Sequence, residues 1–214
     1  MSRESVAEET KTAMGISLEC SSVEKSAKTL KLSARLTNSS STDIYVFNRL
    51  WDLGANNVPE PDPHKVYRFI HGSELRLLLG AAPLPRLKTT TYRNIPYATL
   101  VKSHHSLNID ESLSLPVEEH SVYFAKDSSS SAKPVKVNRV VLLVQFVLAR
   151  SGYECTPGPF DREAVKLEVP GILDHAQTAQ CRFNPVEIEA LRRTDQFDRL
   201  ILPGETPEPL VLPQ

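Results

Sequence analysis

Between residues 29 and 38 the side chains alternate: Leu30, Leu32, Ala34 and Leu36 fall on one face, Lys31, Ser33, Arg35 and Thr37 on the other. A period of two is that of a strand with one side buried. Ile16, Leu18 and Cys20 repeat the pattern upstream, and the Glu, Lys and Ser residues of 23–28 read as the hairpin connection between the two runs. The Asn-Ser-Ser-Ser-Thr-Asp stretch at 38–43 predicts a turn, because these short polar side chains bond their own backbone. The β-branched and aromatic run at 44–51 then suits a third strand. Three strands in sequence predict a meander, which needs a second sheet over its apolar face.

Pro59, Pro61 and Pro63 make 52–64 a long extended loop. Residues 66–70 and 75–79 predict a hairpin around His71-Gly72-Ser73, and 89–92 and 98–102 predict two further short strands. Alternation returns at 107–115, where Leu107 and Ile109, then Leu113 and Leu115, flank a polar Asp110-Glu111-Ser112. That interruption predicts a bulge or a tight turn. After a flexible Ser-rich loop at 128–134, the run at 135–148 is apolar on both faces and predicts a central strand covered on each side.

The character changes beyond Arg150. Half of the 16 prolines lie in 151–214. Val165, Leu167 and Val169 predict one more edge strand. Asn184 as cap, Pro185 at the first helical position and Glu187 at the third predict a short helix over 186–197. The stretch 200–214 reads as extended, with Leu200, Ile201, Leu202, Leu210, Val211 and Leu212 available to dock on this chain's own sheet or on a partner.

Eight or nine strands without alternating helices, and without an internal repeat, place the chain in the all-β class. The Leu-rich alternating strand, the 38–43 turn and the Ile-Tyr-Val-Phe strand together resemble immunoglobulin-like accessory domains over about the first 150 residues. The resemblance implies an antiparallel β-sandwich that binds partners, and it names no partner. Trp51 does lie between Cys20 and Cys155, but the spacing to Cys155 is too long for the immunoglobulin arrangement. The expected organisation is a flexible N-terminus at 1–14, a sandwich at 15–170 and a Pro-rich C-terminal extension at 171–214 carrying the one helix.

Composition limits the function classes. The net charge is −1 and the charged fraction 24%, so nothing draws the whole chain to nucleic acid. Residues 151–214 carry 11 acidic and 6 basic side chains, −5 of that total, which leaves +4 on the remainder. The longest apolar stretch, 140–149, is far shorter than the roughly 20 residues of a spanning helix. Three cysteines, Cys20, Cys155 and Cys181, behind a polar N-terminus predict reduced thiols and a cytoplasmic protein, with a Cys20–Cys155 bridge left open. Asn38-Ser39-Ser40 fits a glycosylation sequon.

No chemistry stands out. There is no Gly-x-Ser-x-Gly elbow, no glycine-rich phosphate cradle and no Cys-x-x-Cys or His-Glu-x-x-His spacing. Cys155 sits in a Gly-flanked loop without an adjacent Lys, Arg or His to acidify it. The candidate metal ligands are His104, His105, Glu118, Glu119 and His120, which, with Asp110 and Glu111, would converge if the chain turned back at 110–112, and His64 after Asp62 is a further candidate. Adjacent His104 and His105 point to opposite faces of a strand, so at most one could serve. The chain is expected to need no cofactor and to act by contact with another protein or a second copy of itself, with no nucleic acid or membrane insertion. A metal-binding protein or metal-dependent enzyme built on the His/Glu cluster, and a jelly-roll subunit of a larger assembly, are the alternatives.

Overall fold

The computed structural model describes residues 10–11, 15–54, 58–84, 94–123, 132–159, 163–183 and 186–193. Strands make up 62% of them, and no helix exceeds seven residues. In chain order the strands are β1 (Thr10–Lys11), β2 (Ile16–Lys25), β3 (Thr29–Asn38), β4 (Ile44–Arg49), β5 (Trp51–Leu53), β6 (Pro59–Pro61), β7 (Tyr67–His71), β8 (Glu74–Leu79) and β9 (Tyr97–Val101). They continue with β10 (Ser106–Ser114), β11 (Val117–Glu118), β12 (Ala132–Val137), β13 (Arg139–Leu148), β14 (Cys155–Pro157), β15 (Ala164–Leu167), β16 (Gln177–Phe183) and β17 (Ile188–Arg193), with a 3-10 turn at Ile172–His175 before β16. The expected strand at 89–92, loop at 128–131, flexible N-terminal residues 1–9 and apolar tail at 200–214 lie outside the described residues.

A four-stranded antiparallel sheet runs β1-β2-β3-β10. Its period-two pattern works as expected: Ile16, Leu18, Cys20, Leu30, Leu32, Ala34, Leu36, Ile109 and Leu113 are all buried in one core. A bulge at Ser21 shifts the β2–β3 register between Cys20 and Ser22, and Ser21 Oγ donates to the Ser33 carbonyl at 2.9 Å. β10 runs straight through Asp110-Glu111-Ser112, paired with β3 from end to end. Isolated polar residues do not break a strand whose neighbours on either side are held by ladder bonds.

The opposing sheet runs β14-β15-β9-β4-β13-β8-β7, with β16 on the other side of β13. The strand expected over 135–148 divides at Asn138: residues 132–137, expected in part as loop, form β12 and pair with β17 in a separate sheet, while β13 is the central, two-faced strand of the apolar run. Val140, Leu142, Val144 and Phe146 share the core with the small sheet. On the reverse face Val141 and Leu143 pack with Leu50, Tyr67, Phe69, Leu78 and Ala82, and Val147 with Phe47, Ala98, Leu167 and Ile172. β8 pairs with β13 along Arg139–Val144 and β4 along Phe146–Leu148, so the sheet forks at Gln145. Gln145 Oε1 accepts the Ala81 N–H at 2.8 Å. A Cβ at Gly80 would lie 2.4 Å from that oxygen, so glycine stands where β8 leaves the ladder.

Four further expectations change. The three-strand meander is replaced by a crossing: β4 leaves β3 and joins the large sheet. Asn38 organises it, fully buried, donating from Nδ2 to the Thr42 and Lys102 carbonyls and accepting the Ser40 N–H. That burial also removes it as a glycan acceptor. The all-antiparallel expectation gives way to mixed sheets, since β8 pairs parallel with β13 and β11 with β17. The helix expected at 186–197 is strand β17 over its described part. Val186, Ile188 and Ala190 alternate into the core while the backbone pairs with β12 and β11, and this long-range pairing outweighs the local cap. β16 and β17 therefore carry 177–193 into the body. Finally, Cys20 is not a thiol: it bonds Cys181 across the two sheets, with Cα atoms 5.7 Å apart, and Cys155 is the exposed free cysteine. Trp51 lies at the margin, donating from Nε1 to the Ile95 carbonyl, rather than against that disulfide.

Candidate functional site

The two sheets part along β10. Asn48, Arg49 and Leu79 of the large sheet, Leu50 just after β4, Asn108, Ile109, Asp110 and Glu111 of β10, Pro61 at the end of β6, and Asp62 and Lys65 between β6 and β7 enclose a cleft of about 330 Å³. Glu111 occupies an inward register position, paired with Leu32 and flanked along its face by Ile109 and Leu113. Burial pushes its carboxyl up to about 7, the Asp110 charge adding to this and Lys65 and Arg68 opposing it. A carboxyl there is half protonated at neutral pH. Among the described residues none hydrogen-bonds it.

The rim is a tightly wound loop. The Asp62 N–H donates to the Leu50 carbonyl at 3.1 Å, the Lys65 N–H to the Asp62 carbonyl at 3.1 Å and the Val66 N–H to the His64 carbonyl at 2.7 Å. Lys65 takes φ 58°, a left-handed conformation that a non-glycine residue adopts at a cost. The winding aims Asp62: its Oδ1 accepts the His64 N–H at 2.8 Å, leaving Oδ2 against His120 Nε2 at 2.8 Å. His120 follows β11, and its N–H and carbonyl bridge those of Arg68 on β7, each at 2.9 Å. The His64 and His120 rings lie 4.0 Å apart, and Arg68 Nη2 donates to His64 Nδ1 at 3.0 Å.

Asp62, His64 and His120 each offer one ligand atom, all within 4.8 Å of one another. Burial alone would raise the Asp62 pKa, but the His120 hydrogen bond, the His120 charge and the His64 amide outweigh it and hold the carboxyl low. Burial, then the charges of His120 and Arg68, hold His64 below the ordinary imidazole value. Both residues are thus kept in the forms that ligate metals, carboxylate and neutral imidazole.

Of the residues singled out in the sequence, His120 and His64 meet here. Glu118 is half-buried beside them, its charge reaching His64 and Arg68. Glu119 does something else: it is buried, and its two oxygens accept the Ile70 and Arg193 N–H groups at 2.7 and 2.8 Å, tying β7 to β17. Burial pushes its pKa up, with those amides pulling the other way. His104 and His105 are exposed in the β9–β10 connection, where His105 Nδ1 bonds the Ser103 carbonyl, and they do not join the cluster. Cys155 Sγ contacts Tyr45 Oη at 3.3 Å, and this bond, with burial, pushes the tyrosine up to about 12. Sequence reasoning named Asp62 only as the neighbour of His64, and Glu111 only among the groups that would converge with the histidines at 104, 105 and 120. The signal for Glu111 was a carboxylate on the apolar face of an alternating strand; for Asp62 it was a turn-forming residue two before a histidine. No known protein family, curated protein or solved structure matches the chain.

Proposed function

We propose that the chain is a non-catalytic, immunoglobulin-like β-sandwich that binds an extended segment of another protein along β10. The free edge of this strand supports the reading. The Asn38 N–H donates to the His105 carbonyl and the Leu115 N–H to the Lys28 carbonyl, which sets the parity of the β3–β10 ladder. Odd-numbered residues 107–113 turn their backbone groups to β3, and Ser106, Asn108, Asp110, Ser112 and Ser114 turn theirs outward. No strand among the described residues pairs there. An added strand would complete the sheet and lay alternate side chains over the adjoining cleft, the usual division between backbone affinity and side-chain specificity.

The cytoplasmic expectation rested on reduced thiols, and the Cys20–Cys181 bond removes that ground. An oxidising compartment suits a buried structural disulfide better.

The test is capture of partners from the source organism by the wild type and by Asn108→Pro and Ser112→Pro. Each variant removes one outward N–H and leaves the β3 ladder intact. A partner held by the wild type and lost from both folded variants supports strand addition. Equal capture by all three overturns it, and a concentration-dependent dimer abolished by both variants would name a second copy as the occupant.

A further inference from the structure

We infer that Asp62, His64 and His120 bind one divalent first-row transition ion at the rim of the cleft. Two imidazoles and a carboxylate form a donor set suited to zinc and its neighbours rather than to calcium or magnesium, which prefer oxygen throughout. Their ligand atoms lie within 4.8 Å of one another, where tetrahedral zinc spaces its ligands about 3.3 Å apart. A bound ion would have to draw the three atoms together by that difference.

The supports behind the ligands are already in place. The His64 amide fixes one Asp62 oxygen so that the other faces His120, and the double backbone bridge to Arg68 fixes His120. Outer contacts of this kind orient metal ligands and are part of what makes a site bind.

The spot also gathers a cation now. Arg68 can only donate, so the nitrogen it meets, His64 Nδ1, carries the ring's lone pair. Arg68 sits in the field of Glu118 and Asp62, yet its buried Nε has no acceptor among the described residues. A guanidinium with a donor left unsatisfied is the replaceable member of the cluster. A divalent ion would take that lone pair together with Asp62 Oδ2 and His120 Nε2. The site is independent of partner docking on β10, since none of its three ligands lies on that strand.

The experiment is calorimetric titration of chelator-treated full-length protein with zinc chloride, repeated with cobalt chloride and followed by visible absorption. One equivalent of zinc, with cobalt bands of tetrahedral type, is expected. His64→Ala and His120→Ala should each weaken binding at least tenfold, whereas His104→Ala/His105→Ala should bind as the wild type does. Metal-free melting curves establish that each variant folds, and Asp62→Asn, which keeps the side-chain volume, provides a second loss-of-binding variant. Absence of zinc binding by the wild type, undiminished binding by a folded His64→Ala/His120→Ala variant, or loss of binding in His104→Ala/His105→Ala would each overturn the assignment.

Discussion

The small sheet meets the large one differently along its two margins. On the β2 side it closes against β16: Cys20 and Cys181 are joined, and Ile16, Leu18, Ala179 and Phe183 belong to the same buried apolar cluster. On the β10 side the same two sheets separate around a cleft that holds Glu111 on an inward register position. Both margins obey one alternation of inward and outward side chains. What differs is the residue placed at an inward position, a cysteine that bonds across the gap or a carboxylate that no described residue pairs. A fold held by apolar layers can thus be sealed on one side and keep an ionisable, water-accessible margin on the other.

The largest effect should come from unsealing the closed margin. The disulfide spans 161 residues of sequence, and cross-linking a loop of that length restricts the unfolded chain by about 5 kcal/mol. Cys20→Ser/Cys181→Ser should lose roughly that much stability in urea titrations. Thiol labelling of native, unreduced protein should count Cys155 alone. Labelling of all three cysteines would erase the contrast between the margins.

Next comes Glu119, the buried carboxylate that is fully used. Glu119→Ala leaves the Ile70 and Arg193 amides without their acceptor, at a cost of about 3 kcal/mol. Chemical denaturation should show it. A change near zero would mean that water replaces the clamp and that Glu119 is no more committed than Glu111.

Glu111 should behave in the opposite sense. Its folded pKa of about 7 stands above the ordinary 4.5, so between those values the folded chain holds more protons than the unfolded one. Stability therefore falls as pH rises from about 4.5 to about 7 and is level above. Glu111→Gln should flatten that slope and stabilise the protein at pH 8 by about 2 kcal/mol, the full shift being discounted for the open cleft. Melting temperatures across pH 4 to 8 measure it. A slope unchanged by the variant would place the titrating group elsewhere.

How much of this was legible in the sequence follows from the range of the interactions involved. β2, β3, the β7–β8 hairpin and β13 declare themselves through alternation or a continuous apolar run, which are local properties. The crossing from β3 to β4 does not, because Asn38 looks like any turn residue until Lys102 supplies one of its acceptors. β17 was misread for the same reason: the Asn-Pro-x-Glu signal is local, whereas pairing with β12 and β11 is not. At the site, His120 and His64 are far apart in sequence and no spacing motif joins them. Glu119 and His120, adjacent in sequence, divide between a buried clamp and the rim.

The smallest effect tests the open margin directly. By the ladder parity, Ser112 directs its N–H away from β3, so Ser112→Pro removes no bond and should cost less than about 1 kcal/mol. Leu113, its neighbour, directs its N–H at Leu30 across the β3 ladder and fills the core, so Leu113→Pro should cost about 3 kcal/mol or more. The pair isolates backbone direction, because proline is introduced one residue apart on one strand. Equal losses in urea titrations would show that the outward edge of β10 is already engaged within the chain. The margin would then be closed on both sides, and a partner strand would have no row of free amides to meet.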